Sequence, residues 1–310
     1  EAGFTDDPLT EASLRQAVAQ VYRNLGLFEE ALPLLDRSLA LRREHLGDDN
    51  FHTLTSVNDM GVILIERGEF AKAEPSVREA MEGHRRNLGA DHIDTLSSMN
   101  NLARLLQAQG KLDEAEALSR EVLKGFRYTF GVDHPTTLVT LNTLGSVLQA
   151  RGKLAEAETH FREALMRRRR VLGEGHHDTV ASSNSLGSLL QGRGKFVEAE
   201  KLFREALEKY RRVLGDDHPD TLVSINHLGC ILQRKAQFDE AESYFREALN
   251  GCRHVLGKEH PNTLAVINNL ARLLQDQGKF DEAEPLSFEA QEGYSRVLGK
   301  DHPDTLVVTN

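Results

Sequence analysis

Leu222, Ile225, Leu228, Ile231 and Leu232 are apolar at steps of three and four, with Val223, Asn226, Cys230 and Gln233 in an offset row beside them. That spacing predicts an amphipathic helix, helix A, with one packed face and a neighbouring face of mixed polarity. A second helix, helix B, is predicted to follow. It opens on an acid-rich turn such as Phe280-Asp-Glu-Ala-Glu284 and ends in basic residues such as Arg211-Arg212, the charge order that suits a helix dipole. The pattern recurs without insertion or deletion: histidines stand at 92, 134, 176, 218, 260 and 302, each 42 residues after the last. A fixed period of this size predicts tandem helix pairs, with units near 8–46, 50–88, 92–130, 134–172, 176–214, 218–256 and 260–298 and the start of an eighth at 302–310.

Local signals divide each unit. In the first, Phe4 to Pro8 occupies the linker register, and apolar Leu14, Val18, Val21, Tyr22 and Leu25 recur at helical spacing. Its second helix is expected from about Glu29 to His45, with Ala31, Leu34, Leu35, Leu39 and Leu46 inward and Pro33 in the first turn. Gly61, Ala103, Gly145, Gly187, Gly229 and Ala271 fall in the middle of helix A. A glycine there costs about 1 kcal/mol against alanine, so another helix is expected to pack close. Gly68, Gly110, Gly152, Gly194 and Gly278 are placed to end helix A in a left-handed cap; Ala236 stands in that position once. In the linker Gly215 can turn the chain, Asp217 or His218 can cap the next helix, and Pro219 suits its first position.

Composition narrows the function classes. The chain has 310 residues, 28% charged, with 8 Pro, no Trp and a net charge of −10. An acidic balance argues against nucleic acid and gives no attraction to an anionic membrane surface. Cys230 and Cys252 form no disulfide framework and suit a reducing, cytoplasmic setting. No apolar run approaches the roughly 18–20 residues of a membrane span. The ends at Glu1 and Asn310, the latter partway through a unit, lead to the expectation of a fragment of a longer chain.

Leu228, Gly229, Ala241, Phe245 and Ala248 reproduce the small-and-large pattern of the tetratricopeptide repeat. The longer unit and its Leu-Gly-x-x-His-Pro-Asp-Thr linker resemble the kinesin light chain branch of that family. The first residues, Phe4-Thr-Asp-Asp-Pro-Leu-Thr-Glu-Ala-Ser-Leu-Arg, also resemble the entry into repeat arrays that follow bacterial serine/threonine kinase domains. The resemblance implies an all-α, right-handed superhelical solenoid whose A helices line a concave, peptide-binding groove.

The offset face of helix A is the candidate site. Its first level is a column of amides, Asn58, Asn100, Asn142, Asn184, Asn226 and Asn268, continued by Asn310; in the first unit it is Gln16. A second level holds Gln107, Gln149, Gln191, Gln233 and Gln275. An amide donates and accepts at once, as an extended peptide backbone requires. Between the levels stand Val62, Arg104, Ser146, Ser188, Cys230 and Arg272. Arg104 and Arg272 are placed to meet carboxylates, which predicts an acidic or carboxylate feature in the ligand. The competing expectation is that each Asn bonds the neighbouring repeat and fixes stacking.

Other chemistry is weaker. One His per unit leaves neighbours roughly 16–20 Å apart by helix-packing distances, too far for a shared metal, so no metal or cofactor is expected. Arg167 to Arg170 reads as a solvated helix end. His227 and Cys230, three apart, lack the orienting group and oxyanion site that a nucleophile needs, so no catalytic residue is assigned. The expected function is a non-enzymatic, monomeric scaffold for a peptide or partner protein. The alternatives are a regulatory region docking within a larger enzyme, for example a kinase, and a structural spacer or oligomerisation element.

Overall fold

The computed structural model describes residues 7–297, and among these are fourteen helices and no strand. They run in pairs: α1 (Pro8–Asn24) with α2 (Phe28–Leu46), α3 (Phe51–Glu66) with α4 (Phe70–Leu88), and α5 (Ile93–Ala108) with α6 (Leu112–Phe130). The series continues with α7 (Pro135–Ala150), α8 (Leu154–Leu172), α9 (His177–Gly192), α10 (Phe196–Leu214) and α11 (Pro219–Arg234). It closes with α12 (Phe238–Val255), α13 (Pro261–Asp276) and α14 (Phe280–Val297). The all-α array of seven helix pairs is the one expected from the 42-residue period. Two compact units divide between Ala157 and Glu158, inside α8. The linker register at Phe4 and the expected eighth unit, with His302 and Asn310, lie outside the described residues.

The linker histidine caps each A helix from α5 onward. Nδ1 of His92, His134, His176, His218 and His260 accepts the backbone N–H two residues on, at 3.1–3.4 Å. This requires the neutral ring with Nδ1 unprotonated. Asn50 takes the same position for α3 and Asp7 for α1. Pro135, Pro219 and Pro261 follow as first helical residues, where the absent N–H leaves nothing unsatisfied. The left-handed cap also holds: Gly194 has φ +74°, and Lys195 N–H reaches Leu190 O at 2.9 Å. Ala236 adopts φ +57° so that Gln237 N–H can make the same bond to Leu232 O at 2.9 Å. Pro33 departs from expectation. α2 begins at Phe28, so Pro33 lies inside the helix, beyond the first turn, and Pro75 and Pro285 repeat this in α4 and α14.

The mid-helix glycines are contact points. A Cβ on Gly229 would sit 2.7 Å from Phe245, one on Gly187 2.7 Å from Phe203, and one on Gly61 2.5 Å from Val77. Where the A helix carries Ala103 or Ala271 instead, the register opposite holds Ser119 or Ser287. Size is thus exchanged across the A–B contact within a pair. The B helix ahead buries the other side of helix A: Met60 and Ile63 of α3 pack with Ala31 and Leu35 of α2.

Outside the core, charge links the B helices. In the first unit Glu116 receives Arg120 at 2.9 Å, Lys153 at 2.8 Å, and Arg151. In the second unit Glu158 receives Arg162, Arg193 and Lys195, and Glu242 receives Arg246 and Lys279. Burial pulls the Glu116 carboxyl up, but these donors outweigh it and hold it at about 2; Lys279 leads in holding Glu242 at about 2. A carboxyl depressed in the fold stabilises it above the unfolded carboxyl pKa, and the contribution is lost as pH falls toward the folded value.

Two outcomes follow. Gly229→Ala should destabilise the array by roughly 1–3 kcal/mol, and by much less in a Phe245→Ser background, measured as a double-mutant cycle in urea. Ala236→Gly should stabilise it by about 1 kcal/mol; an unchanged or lower midpoint would contradict the cap assignment.

Candidate peptide interface

The offset face of helix A is mostly half-buried in both units, with Val62 and Asn100 buried. Val223, Asn226, Cys230 and Gln233 are all partly exposed, while Leu222, Ile225, Leu228 and Leu232 are buried. Successive A helices lie side by side within each unit, so this face is a strip crossed by one helix after another.

The Asn column bridges those helices. In the first unit Asn101 Nδ2 donates to Asn58 Oδ1 at 3.1 Å. In the second, Asn269 Nδ2 donates to Asn226 Oδ1 at 3.0 Å, and Asn184 Nδ2 donates to Ser224 Oγ at 2.9 Å. Asn142 and Asn268 are half-buried at the same level. Asn100 is buried, and its Oδ1 has no hydrogen-bond partner; Asn184 Oδ1 is also without one. Asn58 and Asn226 each use their acceptor for the neighbouring helix, which leaves their N–H groups for the strip. Gln16 is committed elsewhere, donating to Asp59 and accepting from Arg42. Burial raises the Asp59 carboxyl, against the opposing pull of Gln16, Arg23 and Arg42.

On the second level Gln107, Gln149 and Gln191 are half-buried, Gln275 is exposed, and Gln233 Nε2 reaches Asp276 Oδ2 at 2.6 Å. Arg104 is half-buried and Arg272 exposed, and neither makes an ion pair among the described residues. Most arginines of the B helices, by contrast, hold carboxylates. Arg272 is close enough to Cys230 for its charge to oppose the burial that raises that thiol to about 11.

His227 and Cys230 have separate partners. The His227 ring packs tilted against Phe203 of the preceding pair, with centroids 5.2 Å apart, while Cys230 Sγ accepts from Asn269 of the following pair at 3.4 Å. Burial holds His227 down to about 4 and leaves its Nδ1 without a partner. A neutral imidazole beside a protonated thiol is no activated nucleophile. No group of three or more metal-binding side chains occurs among the described residues.

Two features were missed by sequence reasoning. At two of the column positions the residue after the Asn, Asn101 or Asn269, supplies a cross-helix donor; the Asn-Asn doublets were its signal. A buried polar column also runs along the B helices. Arg42 and Arg168 donate to Ser56 and Ser182 at 2.7 Å, and His84 pairs with Ser98 at 2.9 Å, each pair fourteen residues apart. The reading of Arg167 to Arg170 as a solvated end is therefore corrected at Arg168, which is buried and also bonds Asp178 O at 3.0 Å. A guanidinium can satisfy two neutral acceptors of the next helix where an aliphatic side chain could not.

A tetratricopeptide repeat sequence profile matches residues 9–83, 53–128, 94–170, 136–211, 180–254 and 226–287. The chain belongs to the tetratricopeptide repeat family. Among solved structures, these repeats are similar to a Podosopora anserina protein of kinesin light chain type with nearly identical TPR-like repeats. That match has 27% identity and a TM-score of 0.55, and covers 65% of this chain and 95% of the other. BtubC (BKLC) from P. vanneervenii matches at 22% identity and a TM-score of 0.59, covering 76% and 92%. A Rap protein complexed with competence and sporulation factor matches at 12% identity and a TM-score of 0.68, covering 93% and 78%. At the last two identities the likeness shows the fold alone. No curated protein sequence matches the chain. No helix among the described residues is long and apolar enough to cross a membrane.

His227 makes this strip sensitive to acid. A histidine held below its unfolded value of about 6.5 stabilises the fold above that value, and the contribution disappears as pH falls toward 4. His227→Phe should shrink the drop in melting temperature between pH 7 and pH 5. An identical drop in the variant would contradict the assignment.

Proposed function

We propose that these repeats form a scaffold that holds an extended peptide, or an extended segment of a partner protein, across the A-helix strip. The observation that carries this reading is the division of labour in the Asn column. Asn58 and Asn226 bond the next helix through oxygen and keep their N–H groups for a ligand's carbonyls. Arg104 in the first unit and Arg272 in the second, free of ion pairs, each favour an acidic side chain or terminal carboxylate in a ligand held on that unit. The Rap structure, complexed with competence and sporulation factor, supports the reading at the level of fold. A second reading also has an observation in its favour. The bonds Asn58–Asn101, Asn184–Ser224 and Asn226–Asn269 serve the stacking of A helices whether or not a ligand comes.

The two readings separate on a triple variant. Peptides selected from an array by capture on these repeats should bind Asn142→Ala/Asn184→Ala/Asn226→Ala at least tenfold more weakly. The far-ultraviolet CD and the cooperativity of melting should be kept. A variant that unfolds would establish stacking as the column's role, and a folded variant that binds normally would contradict the peptide reading. In the same assay Arg104→Ala and Arg272→Ala should remove most of the salt dependence of binding. Salt dependence that survives both changes would leave the ligand's carboxylate without support.

A further inference from the structure

Between α1 and α3 the amide chain of the strip runs backwards. Asn101 and Asn269, each one residue past the column, donate to Asn58 and Asn226 on the A helix before. Gln16, in the column position of α1, instead donates its Nε2 to Asp59 Oδ2 on the A helix after it. Arg42 of α2 fixes that direction, because its Nη1 donates to Gln16 Oε1 and so turns the amide nitrogen toward α3. Asp59 stands where later A helices carry Asn101, Thr143, Ser185, His227 and Asn269. An acid therefore occupies a register that is elsewhere amide, hydroxyl or imidazole.

That carboxylate has no cation against it. Asp59 is half-buried, and among the described residues its hydrogen bond comes from the neutral Gln16 and it makes no ion pair. The two arginines whose charge reaches it are committed to other groups. Arg23 places both arms of its fork on Glu66, at 2.9 and 3.0 Å. Arg42 holds Gln16, Ser56 and His52 O. Glu116, by contrast, gathers three cations. Withdrawing a carboxylate from water is costly without a paired charge, and one neutral amide offsets only part of that cost. A ligand group meeting this acceptor must be a donor, and a cation meets both needs.

We propose that Asp59 is a subsite for a primary ammonium of the ligand, a lysine side chain or a free amino terminus, at the α1–α3 end of the first unit's strip. An ammonium fits better than a guanidinium, because Oδ2 already holds Gln16 and the two-point grip of a guanidinium needs both oxygens. Burial works against the Asp59 charge, and a cation brought by the ligand opposes that pull. The chain's net charge of −10 favours the approach of such a group from a distance. The inference rests on the peptide reading and deepens it. With Arg104 favouring a carboxylate on α5, a ligand of the first unit carries both signs of charge.

The probe is an array of peptides tethered by their carboxyl ends in three matched forms: unmodified, acetylated at the amino terminus, and acetylated on lysine. Among the peptides that the full chain captures, a set should lose at least tenfold in affinity in one acetylated form, and which form it is tells a lysine from a terminus. Asp59→Asn keeps an acceptor for Gln16 and removes the charge. On that variant the same acetylation should change affinity less than twofold, while Arg104→Ala should leave the acetylation effect in place. An equal effect on Asp59→Asn, or none on the unaltered protein, would overturn the subsite and leave the peptide reading standing. Capture of no peptide would overturn both. A second readout needs no variant: the carboxyl carbon resonance of Asp59 should shift with an unmodified captured peptide and stay in place with its acetylated form. A resonance that stays in place with both would also overturn the subsite.

Discussion

Within each unit, helix A is held by a B helix on two sides, and the close contact at its midpoint fixes everything around it. Phe245 lies so near Gly229 that a single methyl group has no room. Its counterparts keep the contact by trading size, phenylalanine against glycine and serine against alanine. Dense interiors tolerate little change in volume, so the crossing point cannot drift from one pair to the next. The constant 42-residue step is the sequence record of that constraint. The carboxylate clusters on the B helices, Glu116 with three cations and its relatives, reinforce a spacing that the core has already set. Their arginine and lysine partners stay partly exposed, and ion pairs open to solvent on one side do not determine such a spacing alone.

With two sides of helix A buried, one strip remains for chemistry, and it carries amides. An amide can hold the neighbouring helix with one group and offer the other outward. This is why stacking and recognition need not compete for the same residue. Asn226 shows both halves: its oxygen is taken by Asn269 and its nitrogen is not. The strip also varies where recognition would need variation, between Val62, Arg104, Ser146, Ser188, Cys230 and Arg272. The buried contacts vary only in compensated pairs.

Much of this was legible in the sequence, because periodicity reports burial. The helix pairs, the left-handed glycine caps, the odd Ala236 and the close mid-helix contact were all readable from spacing and residue size. What spacing does not report is which polar atom meets which. The linker left Asp217 and His218 as equal candidates for the cap, and only the backbone placed His218 Nδ1 on the N–H of Asp220. Arg168 looked like one of four solvated arginines, yet rotation about the helix axis turns it onto Ser182. The Asn column was found as a column, but its partners one residue along the next helix depend on the offset between adjacent A helices. That offset is a tertiary quantity.

The central claim is that the A-helix amides act on a ligand as well as on one another, and their own side-chain signals test it most directly. In a proton–nitrogen correlation spectrum, adding a captured peptide should shift the NH2 resonances of Asn58 and Asn226 and slow their exchange with solvent. The B-helix signals should stay in place. Asn NH2 resonances unmoved at saturation, with shifts confined to other surfaces, would contradict the account.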